Sequence, residues 1–103
     1  MRALLLRRTK YVDADGDRVE LVLWQVPRSA AYPDGLRYRL AFVPAGAEAP
    51  GILYDNHHPK GPHRHCGRAE DAYPFTTVAR LLRDFLEDVR RAKAARKARG
   101  GPR

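Results

Sequence analysis

The run VARLLRDFLEDV, residues 78–89, sets apolar side chains at Val78, Leu81, Leu82, Phe85, Leu86 and Val89. Those spacings trace one broad face of an α-helix. A helix with an apolar stripe must bury it against a second layer. The preceding residues have to supply that layer. Thr76 or Thr77 suits the N-cap, without the Glu or Gln three residues on that would complete a capping box. Arg80/Asp84 and Arg83/Glu87 fall at i, i+4 on the outer face and add only a few tenths of a kcal/mol each. Past Val89 the stripe stops. An Ala-rich basic run follows and ends at Gly100-Gly101-Pro102.

Working back from the helix, LRYRLAFV (residues 36–43) alternates most cleanly. Leu36, Tyr38, Leu40 and Phe42 share the core-facing side of a strand, and Arg37 and Arg39 share the other. Residues 3–12 and RVELVLWQV (18–26) read as a β-hairpin about the turn Asp13-Ala14-Asp15-Gly16-Asp17. That turn imitates the start of a calcium loop but has no distant Glu to complete one. GILYD (51–55) reads as a short strand, and residues 66–74 as irregular and polar. The expected fold is α+β: one antiparallel sheet of about four strands, packed by one long C-terminal amphipathic helix. Residues 1–90 form the single domain, and 91–103 form a basic, frayed or disordered tail.

The chain of 103 residues carries 20 Lys plus Arg against 12 Asp plus Glu. Seven of those basic residues and no acid lie between Arg90 and Arg103, so the net charge of +8 is mostly a property of the C-terminus. Such a segment binds phosphate polymers by counterion release or keeps a protein soluble. Arg91, Lys93, Arg96 and Lys97 are its candidate RNA contacts, and Arg37 and Arg39 are candidates on the sheet. One cysteine, Cys66, excludes an internal disulfide and suits a reducing compartment. No run approaches the length of a membrane span. A cytoplasmic location, no membrane and no cofactor are expected.

All four histidines fall within nine residues, in HHPKGPHRH (57–65). Histidine serves as acid or base because its ordinary pKa of about 6.5 lies near cellular pH. Cleavage of RNA by its own ribose hydroxyl needs a base, an acid and cations for the phosphate charge. His63 and His65 suit the first two roles, and Lys60 and Arg64 the third. Tyr54 and Asp55 stand ready to orient them, and His57 and His58 to contact RNA. In an extended His63-Arg64-His65, both imidazoles point to one face and Arg64 to the other. Two other readings stay open. One is a metal site built from His-x-His with Asp55, His57 or His58; the other is a polar loop without chemistry. Trp24 reads as sheet packing before it reads as a base-stacking platform. Tyr73 reads as packing near the helix entry, and Cys66 as a small half-buried side chain.

Several of these segments also form a pattern in order. Leu53-Tyr54-Asp55-Asn56 comes first, then the basic loop closing in His63-Arg64-His65, then Tyr73-Pro74-Phe75-Thr76. The helix adds Leu82, Asp84-Phe85 and Asp88-Val89. The whole resembles the TumE-like toxins of type II toxin–antitoxin pairs, over roughly residues 36–90. That resemblance implies growth inhibition through cleavage of RNA, free or ribosome-associated, in the manner proposed for RelE-like toxins, and a helix-turn-helix antitoxin as partner. Tyr54, Asp55, His63 and His65 match the motif, while His57, His58 and Lys60 lie in a loop of variable content. A non-enzymatic module that binds nucleic acid or antitoxin is the alternative.

Overall fold

The computed structural model describes residues 2–100. The elements run β1 (Leu4–Val12), β2 (Arg18–Gln25), β3 (Leu36–Val43), β4 (Ile52–Asp55), β5 (His63–Cys66), β6 (Ala69–Ala72) and α1 (Val78–Gly100). Each strand pairs antiparallel with the next, so spatial order equals chain order. The class, the single antiparallel sheet and the C-terminal helix agree with the sequence pattern. The strand count does not: among the described residues there are six rather than about four.

Both extra strands come from residues read as loop. β5 is HRHC and β6 is AEDA, joined by the two-residue turn Gly67-Arg68 with Gly67 at φ +61°. Polar runs of four residues carry no apolar alternation, and Ala, Glu and Asp are poor strand formers. Pairing to β4 supplies what local preference does not. A short, charged β6 also makes a blunt outer edge, which discourages further strand addition.

One face of the sheet lies under α1. Leu21 and Leu23 of β2, Tyr38, Leu40 and Phe42 of β3, and Ile52 and Tyr54 of β4 are buried there against Leu81, Phe85 and Val89. Leu86 belongs to the apolar stripe yet stays 49 % exposed. The sheet covers the line Leu81–Phe85–Val89 and leaves its flank open. β1 is exposed along nearly its whole length, Leu4, Leu5 and Leu6 included.

Thr77 caps α1. Its Oγ1 accepts the Arg80 N–H at 3.1 Å and its carbonyl accepts the Leu81 N–H at 2.9 Å. The helix does not stop where its apolar stripe stops, because the basic run is anchored. Lys93 Nζ lies 2.6, 2.7 and 2.9 Å from carboxylate oxygens of Asp13, Asp15 and Asp17. Arg96 donates to both oxygens of Asp17 at 2.9 and 2.8 Å, and the Ala45 N–H donates to the same carboxylate at 2.8 Å. Arg96, followed by Lys93, holds the buried Asp17 carboxyl well below the usual carboxylate range. The β1–β2 turn, the β3–β4 loop and the late turns of α1 therefore meet at one carboxylate. The ammonium of Lys93 takes the place a cation would take among the three aspartates.

Candidate functional site

Alternation along β4 and β5 divides the expected site residues between the two faces of the sheet. Tyr54 and Arg64 sit opposite each other and face α1. There Asp88 accepts from Tyr54 Oη at 2.5 Å, from Arg64 Nη1 at 3.3 Å and from the Cys66 thiol at 3.6 Å. Burial, and then the bond to Asp88, pushes the Tyr54 phenol far above its ordinary range. Burial, and then the charge of Asp88, pushes the Cys66 thiol up, so its reactive thiolate is disfavoured. Tyr73 donates to Asp84 at 2.7 Å; burial first, and this bond second, push its phenol up to about 12. These contacts tie helix to sheet, and they place Tyr54 and Arg64 away from the histidines.

Asp88 went unread as a partner, although a signal existed. It lies three residues after Phe85 and one before Val89, on the stripe side of the helix. An acid at such a position needs a buried donor.

The opposite face carries the histidines, and among the described residues no helix lies over it. Asp55 lies across from His63 on one side and from Arg39 on the other, so Arg39, Asp55 and His63 form a row across three strands. The His63 and His65 rings are 5.0 Å apart between centroids, with their planes at 81°. His63 is buried, and its Nδ1 lies 2.7 Å from the Gly61 carbonyl oxygen. A carbonyl only accepts, so Nδ1 is the nitrogen that donates in this contact, which leaves Nε2 as the nitrogen able to take up or release a proton. His65 faces Glu70 across the β5–β6 pair, with Nε2 3.7 Å from Oε2. Lys60 ion-pairs with the same carboxylate, and this bond is the first cause of its lowered pKa. No sequence pattern pointed to Glu70, because the strand that aims it was not legible.

The loop between β4 and β5 closes the site. Asp55 Oδ1 accepts the His57 N–H at 2.6 Å, and the His57 carbonyl accepts the Gly61 N–H at 3.3 Å. Gly61 has φ +74°, a conformation suited to glycine. The His58 N–H reaches the Tyr32 hydroxyl at 3.4 Å. Together Asp55, His57, His58, Pro59, Lys60 and His63 line a cavity of about 280 Å³.

His63, His65 and Glu70 each bring one ligand atom within 4.8 Å of the others. Two imidazoles and a carboxylate are a donor set that zinc accepts. Of the expected RNA contacts, Arg37 and Arg39 are exposed on the open face, and His57 and His58 are exposed in the loop. Arg91 and Lys97 are exposed on α1, Arg91 within 3.4 Å of Glu87, whereas Lys93 and Arg96 are engaged by the aspartates.

Among the described residues, no helix is long and apolar enough to cross a membrane. No curated protein and no solved structure matches the chain. The family model for toxin TumE matches residues 3–93. That span takes in all six strands and the packed part of α1, so the match covers both layers of the fold and not one motif. The chain belongs to the TumE toxin family, toxins of toxin–antitoxin systems, and so implies an antitoxin partner.

Proposed function

We propose that this toxin acts by cleaving RNA on the open face of its sheet, without a metal, with His63 and His65 as the acid–base pair. The observation that carries it is the pair of imidazoles 5.0 Å apart on one strand, on the face that α1 leaves open. That spacing lets both rings touch one phosphate group. His63 offers a lone pair at Nε2 to take the proton of the ribose 2′-hydroxyl, and protonated His65 donates to the leaving oxygen. Lys60 supplies positive charge to the phosphate. Its present pairing with Glu70 is exposed on both sides, and such pairs contribute little, so exchanging carboxylate for phosphate costs little. Arg39 adds a second cation one strand beyond Asp55. Asp55 positions the loop through its bond to the His57 N–H. The arginine of the His-Arg-His run does not enter this scheme, since Arg64 faces the helix.

The antitoxin of this scheme is a helix-turn-helix protein, and the setting is the cytoplasm. In the test, the purified chain is incubated with single-stranded RNA and with ribosome-bound message. Cleavage leaving 2′,3′-cyclic phosphate ends is expected, and expression should arrest growth. The double substitution of His63→Ala and His65→Ala should lower the rate by roughly a hundredfold to ten-thousandfold, far more than it weakens RNA binding. Retained toxicity in the double variant would instead favour a binding module that blocks its target without cutting it.

The donor set His63, His65 and Glu70 favours one second scheme, a zinc-dependent hydrolase. The two separate on a chelator: zinc-dependent cleavage stops in its presence and resumes on zinc addition, whereas acid–base cleavage by the imidazoles continues.

A further inference from the structure

A second cavity, of about 500 Å³, opens on the same face as the histidine pair. Trp24, Arg37, Arg39, Asp55 and His57 are among its walls. Asp55 and His57 also line the cavity beside His63, so the two hollows share a wall. The register explains the adjacency. Trp24 lies directly across from Arg37, Arg39 from Asp55, and Asp55 from His63. Trp24–Arg37 and Arg39–Asp55–His63 thus form neighbouring rows on one face of the sheet, with the Asp55 carboxylate between the Arg39 guanidinium and the His63 imidazole.

We propose that the Trp24 cavity is a nucleotide subsite, which takes a base of single-stranded RNA next to the phosphate held at His63 and His65. Trp24 is half-buried, and among the described residues no aromatic ring packs on it. A partly exposed indole on an uncovered sheet face offers a flat surface on which any base can stack. Arg37 and Arg39 enter no salt bridge among the described residues. Their charge is free to meet the phosphates on either side of that base. The volume lies within the range of small-ligand pockets, which is roughly 300–1,000 Å³. The subsite rests on the RNA-cleaving scheme above and adds to it a place where the strand is gripped.

Trp24 is the only tryptophan in the chain, so emission excited beyond the absorption band of the five tyrosines reports on this cavity. The probe is a short 2′-O-methyl oligoribonucleotide, which binds as RNA does but has no free hydroxyl for attack. Its binding to the full chain is followed by the anisotropy of an end label and, in parallel, by Trp24 emission. Binding should quench Trp24. Trp24→Ala should weaken binding roughly tenfold, whereas Trp24→Phe, which keeps a ring to stack on and the fold intact, should lose much less. An oligomer with abasic sugars should bind less tightly and leave emission unchanged. Tight binding with unaltered Trp24 emission, and with equal affinity in the Trp24→Phe and Trp24→Ala proteins, overturns the subsite and leaves the histidine chemistry standing. Absence of both binding and RNA cleavage brings down the RNA-cleaving scheme itself, and the subsite with it.

Discussion

Asp17 shows how a single side chain decides whether a turn is only a turn. The sequence marks Asp13-Ala14-Asp15-Gly16-Asp17 as a chain reversal, and Gly16 does adopt φ +83° there. Nothing local announces that Asp17 will be fully buried, or that its partners stand near the other end of the chain. The same limit holds at His63 and His65. Their shared face followed from strand alternation alone, but Glu70 and the Trp24 cavity depended on neighbours supplied by other strands. Asp17→Asn keeps the shape of the side chain and removes the charge that Arg96 and Lys93 hold. We expect a loss of about 2 kcal/mol in urea unfolding, as for a buried hydrogen bond to a charged group. The pH dependence has a definite sign. The folded pKa of Asp17 lies below its unfolded value of about 3.9, so its contribution is complete above that value and disappears as pH falls through the folded range. The stability gap between wild type and Asp17→Asn should therefore be constant near neutrality and narrow below about pH 4. A gap that widens on acidification would contradict the assignment.

At the scale of elements, legibility followed the strength of local periodicity. β3 begins and ends where alternation places it, at Leu36 and Val43, and the helix starts at Val78 behind the Thr77 cap. Both carry repeating apolar positions that the second layer must cover. β5 and β6 carry none; the ladder to β4 and the Gly67 turn organise them. The β5–β6 hairpin is also the element that brings Glu70 to His65, so its turn bears on the site. Gly67 has φ +61° with open space around the position of a Cβ. Gly67→Ala should consequently cost backbone strain alone, about 1–2 kcal/mol, without a clash. We expect the loss to appear as faster amide exchange in β5 and β6 with little change in β2 and β3. RNA cleavage should fall with it as His65 and Glu70 lose their register. Uniform protection loss across the sheet would mean that the hairpin does not open separately from the core.

For the molecule as a whole, the charge asymmetry was plain in the sequence, but its use was not. Residues 90–103 hold seven basic groups and no acid, the composition of a solvated tail or a phosphate-binding one. Part of that charge instead closes the fold. Lys93 and Arg96 reach about eighty positions back along the chain to the aspartates of the first turn. Lys97 and Arg99 lie beyond the anchor and stay exposed. Two truncations separate these parts. A chain ending at Lys97 keeps both anchors and should melt within a degree or two of the full protein. A chain ending at Ala92 loses both and leaves Asp17 a buried carboxylate without its cations. Taking about 2 kcal/mol for that loss, and 4–8 °C per kcal/mol for a chain of this size, Tm should fall by about 10 °C. RNA affinity divides the two roles further. If the open face grips the strand, the chain ending at Lys97 should retain most of its affinity and lose only a small part of its salt dependence, since few phosphate contacts are removed. An unchanged Tm in the chain ending at Ala92 would show that the long-range ion pairs do not hold the fold, and would return Lys93 and Arg96 to the pool of side chains free to meet RNA.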